Sequence, residues 1–144
     1  MSFEVAAQIL SVFSILWASL LHASSRMNEE SAAVREVIDA IADGVRRKDV
    51  EAILAHCAPE IVAFDLLPPS KHEGIEAVRR SWSEGLAMTE SPNYSERDHK
   101  IVAGSDVAIV LSINSFGGRE LRSTLGLRKT GGRWKVVHQH VSSM

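Results

Sequence analysis

Asp65 is the residue in this chain whose setting most suits chemistry. It follows Ala63 and Phe64 near the end of an apolar run that begins at Ile61. A carboxylate held among apolar side chains is suited to take up and return a proton, because such surroundings disfavour a charge. The same position also fits a solvent-facing cap of the Pro68-Pro69 turn, and both readings stand. His138 and His140 form a second group. Their spacing puts both rings on one face of a strand, which can begin a metal site. A catalytic zinc usually needs three protein ligands, and the available thirds are His99, His72 and Asp65. The lone Cys57 excludes an intrachain disulfide and a cysteine-based zinc cluster, and its apolar neighbours suggest a buried thiol. The expectation is therefore acid–base chemistry with no cofactor and no metal.

The elements that must position these residues belong to one domain. The chain has 144 residues, 45% hydrophobic and 24% charged, with a formal net charge of −2. That is ordinary for a soluble globule and offers no basic stripe, so nucleic acid is not an expected partner. From Asn28, apolar residues Val34, Val37, Ile38, Ile41 and Val45 recur at helical spacing, with Asn28 or Ser31 as cap. Asp49 caps a short second helix through Cys57, stopped by Pro59. A strand over Ile61 to Leu67 ends at Pro68-Pro69, and a loop with Lys71, His72 and Gly74 leads to a third helix over Ile75 to Met88. Four strands follow: Tyr94 to Val102, Val107 to Phe116, Glu120 to Lys129 and Arg133 to Val141. The short turns between them, two of them Gly-Gly, give an antiparallel meander. Helices followed by such a meander make an α+β domain.

The N-terminus differs from the rest. No charge appears from Val5 to Leu21, between Glu4 and Arg26. A secretory signal would place a basic residue ahead of the apolar run, although Ala23 and Ser25 suit cleavage after Ser25. A membrane anchor would want about 20 apolar residues, and this run is slightly short and carries Gln8, Ser11, Ser14 and Ser19. A docked helix would lay Ile9, Phe13, Leu16 and Leu20 on the domain. The words MNEES at Met27 also resemble a start, so residues 1–26 are expected to be an appendage and residues 27–144 the domain. Membrane contact is expected only through residues 1–26. Localisation stays open among cytoplasmic, slightly favoured, exported and membrane-anchored.

The order of elements, with KDVEAILAHCAPEIVAFD, HEGIEAVRRSW and the ending GGRWKVVHQHVSS, resembles the nuclear transport factor 2-like superfamily and its SnoaL-like branch. That group includes polyketide cyclases, ketosteroid isomerase and the association domain of calcium/calmodulin-dependent kinase II. The resemblance implies a cone: a curved sheet wrapped around a long first helix, as in the cystatin-like α+β roll, enclosing a mostly apolar ligand cavity, commonly in homodimers. It places Asp65 where the isomerase keeps its general base. It also puts Ile41 and Leu125 where that enzyme has its tyrosine and protonated aspartate, so the donors that meet an enolate's charge are missing. The arginines of the kinase domain's pocket fall at Ile113, Leu125 and Val141, which disfavours an anionic ligand bound in that way.

Family alignment turns Val137, Gln139 and Val141 into the cavity and Trp134, Val136, His138 and His140 outward, a choice that a bulge would reverse. Carried across the sheet, strand parity gives a lining of Ile109, Leu111, Ile113, Ser115, Ser123, Leu125 and Leu127, closed by Trp82, Ile38 and Ile41. Most of these residues would equally form an ordinary core. The expectation is a pocket for a small apolar molecule, with Asp65 as catalytic base, Ser123 or Gln139 as polar anchor, and isomerase, cyclase or hydratase chemistry. A non-catalytic binding or assembly module, dimerising through the outer face with Trp134, His138 and Arg128, is the alternative.

Overall fold

The computed structural model describes residues 3–144, with side chains from Gln8 onward, so residues 1 and 2 of the expected appendage lie outside the described residues. Helix α1 runs unbroken over Phe3–Arg46, because no glycine or proline interrupts the sequence before Gly44. Its start therefore lies far upstream of Asn28 and Ser31, the caps expected from sequence. Ile9, Phe13, Leu16 and Leu20 are exposed and do not dock on the domain. Burial begins near Glu30, and Val34, Ile38, Ile41, Ala42 and Val45 form the face of α1 that enters the core.

Asp49 caps α2 (Val50–Leu54), its Oδ1 accepting the Ala52 N–H at 3.0 Å. The helix ends three residues earlier than expected, and β1 (Cys57–Phe64) takes Cys57 and Pro59. Proline is tolerated there because the pairing of β1 with its neighbour is irregular between Cys57 and Val62. A short strand β2 (Lys71–Glu73) occupies the expected loop, and α3 (Ile75–Ala87) follows Gly74. Gly74 has φ of 82°, a conformation that favours glycine and turns the chain sharply from β2 into α3.

Strands β3 (Ser95–Ala103), β4 (Val107–Phe116), β5 (Arg119–Thr130) and β6 (Arg133–Ser143) form the meander. The curved sheet has the order β2-β1-β6-β5-β4-β3, antiparallel throughout except that β1 runs parallel to β6. Helix α1 packs over β3 and β6, while α3 covers β1 and β2. Between helices and sheet lies one core, in which Ile38, Ile53, Ile61, Val78, Val110, Leu127 and Val136 are almost fully buried.

Candidate functional site

The cross-strand register decides which side chains face the helices. Ala108, Val110, Ser112 and Asn114 of β4 pair with Leu127, Leu125, Ser123 and Leu121 of β5, and this set faces inward with the core. Val107, Ile109, Leu111, Ile113 and Ser115 pair with Arg128, Gly126, Thr124, Arg122 and Glu120 and face outward. The expected lining is thus off by one residue along β4: Ile113 and Ser115, with Ile109 and Leu111, lie on the outer face. A bulge at Val137, where the β5–β6 register shifts between Gly126 and Leu127, settles β6. Before it Trp134 and Val136 point inward; after it Gln139 and Val141 do, opposite Leu125 and Ser123. His138 and His140 face outward, where Phe64 meets both rings edge-on at centroid distances of 5.1 and 5.8 Å. Trp134 was expected outside with them, but it is buried in the core.

Asp65 follows β1 with the inward parity of Ile61 and Ala63. Its Oδ2 accepts the Ser81 hydroxyl of α3 at 2.6 Å and its Oδ1 accepts the Leu66 N–H at 2.7 Å. His72 of β2 brings Nε2 to 3.7 Å from the same Oδ2, a contact of position and charge too long for a hydrogen bond. The backbone is fixed too, since the Asp65 N–H donates to the Ser70 carbonyl at 2.9 Å. His72 is 12% exposed and Asp65 35%, so the carboxylate is held on one side and reachable on the other. Helix α3 is tied down by Arg79, which pairs with Glu76 of its own first turn and with Glu51 of α2. Asp65, His72 and Ser81 thus come together from three elements.

The inner face beyond Asp65 is polar along one row. Phe64 pairs with His140, and one step further along this parallel ladder brings Asp65 beside Val141, whose partner on β5 is Ser123, whose partner on β4 is Ser112. Asp65 and Ser123 are therefore two strand spacings apart, roughly 10 Å between backbones. Gln139 lies one inward position earlier on β6, beside Ala63 and opposite Leu125. Ile41 is buried on α1, and Trp82 of α3 and Leu125 are half-buried against the core.

The row continues into a polar network that includes residues with no place in the expected site. Ser112 donates to Asn114 Oδ1 at 2.7 Å, Asn114 Nδ2 to the Tyr94 hydroxyl at 3.0 Å, and Tyr94 to Glu96 at 2.5 Å. Glu96 also lies 3.1 Å from His99 Nε2, and Arg35 of α1 reaches His99 Nδ1 at 2.5 Å. Arginine only donates, so His99 accepts at Nδ1 and donates at Nε2 to Glu96. Burial, with the charge of Glu96, pushes the Tyr94 phenol far above its usual range, so it remains a donor. The register and the inward parity of β4 would point to Ser112 and Asn114; the irregularity between Arg97 and Lys100 hides His99 and Glu96 from any alternation rule.

Burial pushes the Cys57 thiol up to about 11, which leaves it a packing group at neutral pH. Among the described residues no three His, Cys, Asp or Glu side chains gather as a metal site. Concavities open on the surface of the described residues. One of about 860 Å³ lies between α1 from Ala18 to Glu30 and the turn at Gly104 and Ser105; another of about 360 Å³ lies around Val37, His56 and Trp134. Neither includes Asp65, Ser123, Leu125 or Gln139.

Many solved structures share this fold, among them three of differing description. An NTF2-like protein of unknown function from Pseudomonas putida KT2440 is 28% identical, with a TM-score of 0.76 over 80% of this chain and 87% of its own. A proposed dehydratase of the NTF2-like family from Streptomyces avermitilis is 18% identical, with a TM-score of 0.73 over 82% and 98%. A proposed calcium/calmodulin-dependent protein kinase type II association domain from Thiobacillus denitrificans is 16% identical, with a TM-score of 0.64 over 75% and 92%. No curated protein matches. Residues 34–144, from the first buried turn of α1 through the last strand, match the SnoaL-like domain, and the chain belongs to that family within the NTF2-like fold.

Proposed function

We propose that this SnoaL-like protein is a cofactor-independent acid–base enzyme acting on a compact, largely apolar carbonyl compound, with Asp65 as the base. The observation that carries this reading is the Asp65 carboxylate itself. It is oriented by Ser81 and the Leu66 N–H, has His72 alongside, and keeps an accessible side. Each carboxylate oxygen has lone-pair capacity beyond its present donor, so an incoming C–H can be met without breaking the support. Ser123 or Gln139, on the inner face two strands and one strand away, is the donor for the carbonyl oxygen as charge develops there. His72 is the second proton-carrying group that loss of a hydroxyl would require, consistent with the proposed dehydratase among the structural neighbours. The test is a panel of enolisable ketones and β-hydroxy ketones, screened by thermal shift and then incubated in D2O. Enzyme-dependent deuteration beside the carbonyl, or loss of water, supports the reading. Ligands that raise the melting temperature yet show neither would sink it.

One observation favours the binding or assembly reading instead. The outer sheet face presents Val102, Val107, Ile109 and Leu111 to solvent, beside Phe64 and the two outward histidines. An exposed apolar group on β3 and β4, separated from Phe64 only by Gly126, Thr124 and the two histidines, is suited to pairing with a second copy. Homodimerisation is compatible with either reading, because Asp65 lies on the opposite side of the sheet.

A further inference from the structure

The first half of α1 has no work to do in the domain. From Gln8 to Glu29 every described residue is exposed, with Phe13 at 67% and both Trp17 and Leu20 at 71%. The helix is long and apolar enough to cross a membrane. Its apolar side chains are also distributed in a way that one protein partner does not satisfy. At 100° per residue, Ile9, Leu10, Val12, Phe13, Ile15, Leu16, Trp17, Leu20 and Leu21 cover roughly 240° of the circumference, against the stripe of about 100° typical of a docked helix. Lipid surrounds such a helix on all sides; a neighbouring domain or helix would leave more than half of it in water.

Two further features fit hydrocarbon. The Ser14 and Ser19 hydroxyls donate back to the carbonyls of Leu10 and Ile15 at 2.8 and 2.9 Å, so these polar groups need no water. The uncharged run from Val5 to Leu21 is 17 residues, about 25 Å of helix, which lies at the short end of a bilayer span. The helix then continues without glycine or proline into the core, whereas a cleaved leader is separated from its domain.

We propose that residues 5–21 cross a lipid bilayer as a retained anchor, and that the unbroken helix holds the domain against the membrane surface with the Asp65 side turned away. Leu21 to Glu30 is about 14 Å of helix. At Glu30 the helix is already fixed to the sheet, its carboxylate accepting from Lys129 Nζ at 2.6 Å and from Trp134 Nε1 at 2.9 Å. The turn at Gly104 and Ser105 faces the same stretch of α1 across the larger groove. The β3–β4 and β5–β6 turns therefore sit nearest the bilayer. His140, beside the Asp65 end of β1, is six residues along β6 from Trp134, roughly 20 Å further out. This inference does not depend on the chemistry at Asp65.

The test uses the full chain expressed in cells and then reconstituted in phosphatidylcholine vesicles. The wild type should stay with membranes through 1 M NaCl and alkaline carbonate, and float with the vesicles. The double variant F13K/L16K places two charges mid-span and should move at least tenfold more protein into the carbonate-soluble fraction, with an unchanged melting temperature in detergent showing that its domain is intact. Three results would each overturn the proposal: wild type released by carbonate, a recovered chain shortened to near Arg26 by mass, or a detergent-free soluble dimer whose helices cross-link through L16C.

Discussion

At Asp65 the two carboxylate oxygens are engaged by different elements: Oδ1 by the backbone just after β1 and Oδ2 by Ser81 from α3. In the proposed reaction that division makes Ser81 a positioning residue, since its hydroxyl is spent on the proposed base. Replacing it with alanine is expected to lower turnover roughly tenfold, the kinetic equivalent of losing one hydrogen bond of about 1.4 kcal/mol, with a larger effect on kcat than on KM. Steady-state kinetics on the ketone found by screening checks this, and equal losses in S81A and D65N would show that Ser81 does more than orient. The sequence made Asp65 visible because an acid stood at the end of an apolar run. His72 stood out only as a candidate metal ligand, and its meeting with Asp65 and Ser81 was hidden, because Ser81 lies 16 residues away on another element and His72 sits on a strand of three residues, too short to show alternation. Tyr94, Glu96 and His99 were harder still, since their network includes Arg35, 64 residues from His99.

Among the elements, α1 carries the most consequence, and two of its residues show how it is held. Gly44 allows α2 to approach closely: a Cβ there would lie 2.9 Å from Ile53 Cγ1 and 3.2 Å from the Ile53 backbone nitrogen. The variant G44A is expected to lose about 1–3 kcal/mol of stability, read by denaturant unfolding; a neutral or stabilising result would mean that the α1–α2 contact relaxes freely. Glu30 fastens α1 to the β5–β6 hairpin. Hydrogen bonds from Lys129 and Trp134 hold its carboxyl below its ordinary value of 4.5, so folding favours the ionised form. Its contribution is present above that value and is lost as pH falls through the lower folded value. The stability gap between wild type and E30Q should therefore be open at neutral pH and close as pH falls below 4.5 and through the lower folded value; a gap that does not change with pH contradicts the ion pair. The four meander strands were legible to within a residue or two because short turns punctuate them, whereas β1 begins four residues before the expected Ile61 and β2 fell in an expected loop. The facing of β4 was not legible, because parity carried from β5 depends on the exact register across the Gly117-Gly118 turn: Phe116 pairs with Arg119, which sets Val110 opposite Leu125, and a one-residue slip inverts every side chain of the strand.

For the whole molecule, the observed facing of β4 leaves apolar bulk on the outer face of the sheet. If two copies pair there, I109D/L111D should convert a dimer into a folded monomer, as read by light scattering with circular dichroism; a wild type already monomeric at high concentration would contradict the pairing. The α+β architecture and the family could be read from the order of elements, since helix, helix, strand, helix and meander leave few ways to cover one sheet. The parallel pairing of β1 with β6 could not, because it joins residues more than 70 apart and leaves no local trace. Nor could the extent of α1, whose apolar first half reads as a separate segment although no breaker divides it from the domain. The most direct measurement of the central claim is deuterium incorporation beside the carbonyl of the best-binding ketone, compared between wild type and D65N at matched folded concentration. The account predicts a fall of about 10²- to 10⁴-fold with ligand binding and melting temperature retained. Full exchange by D65N would contradict it.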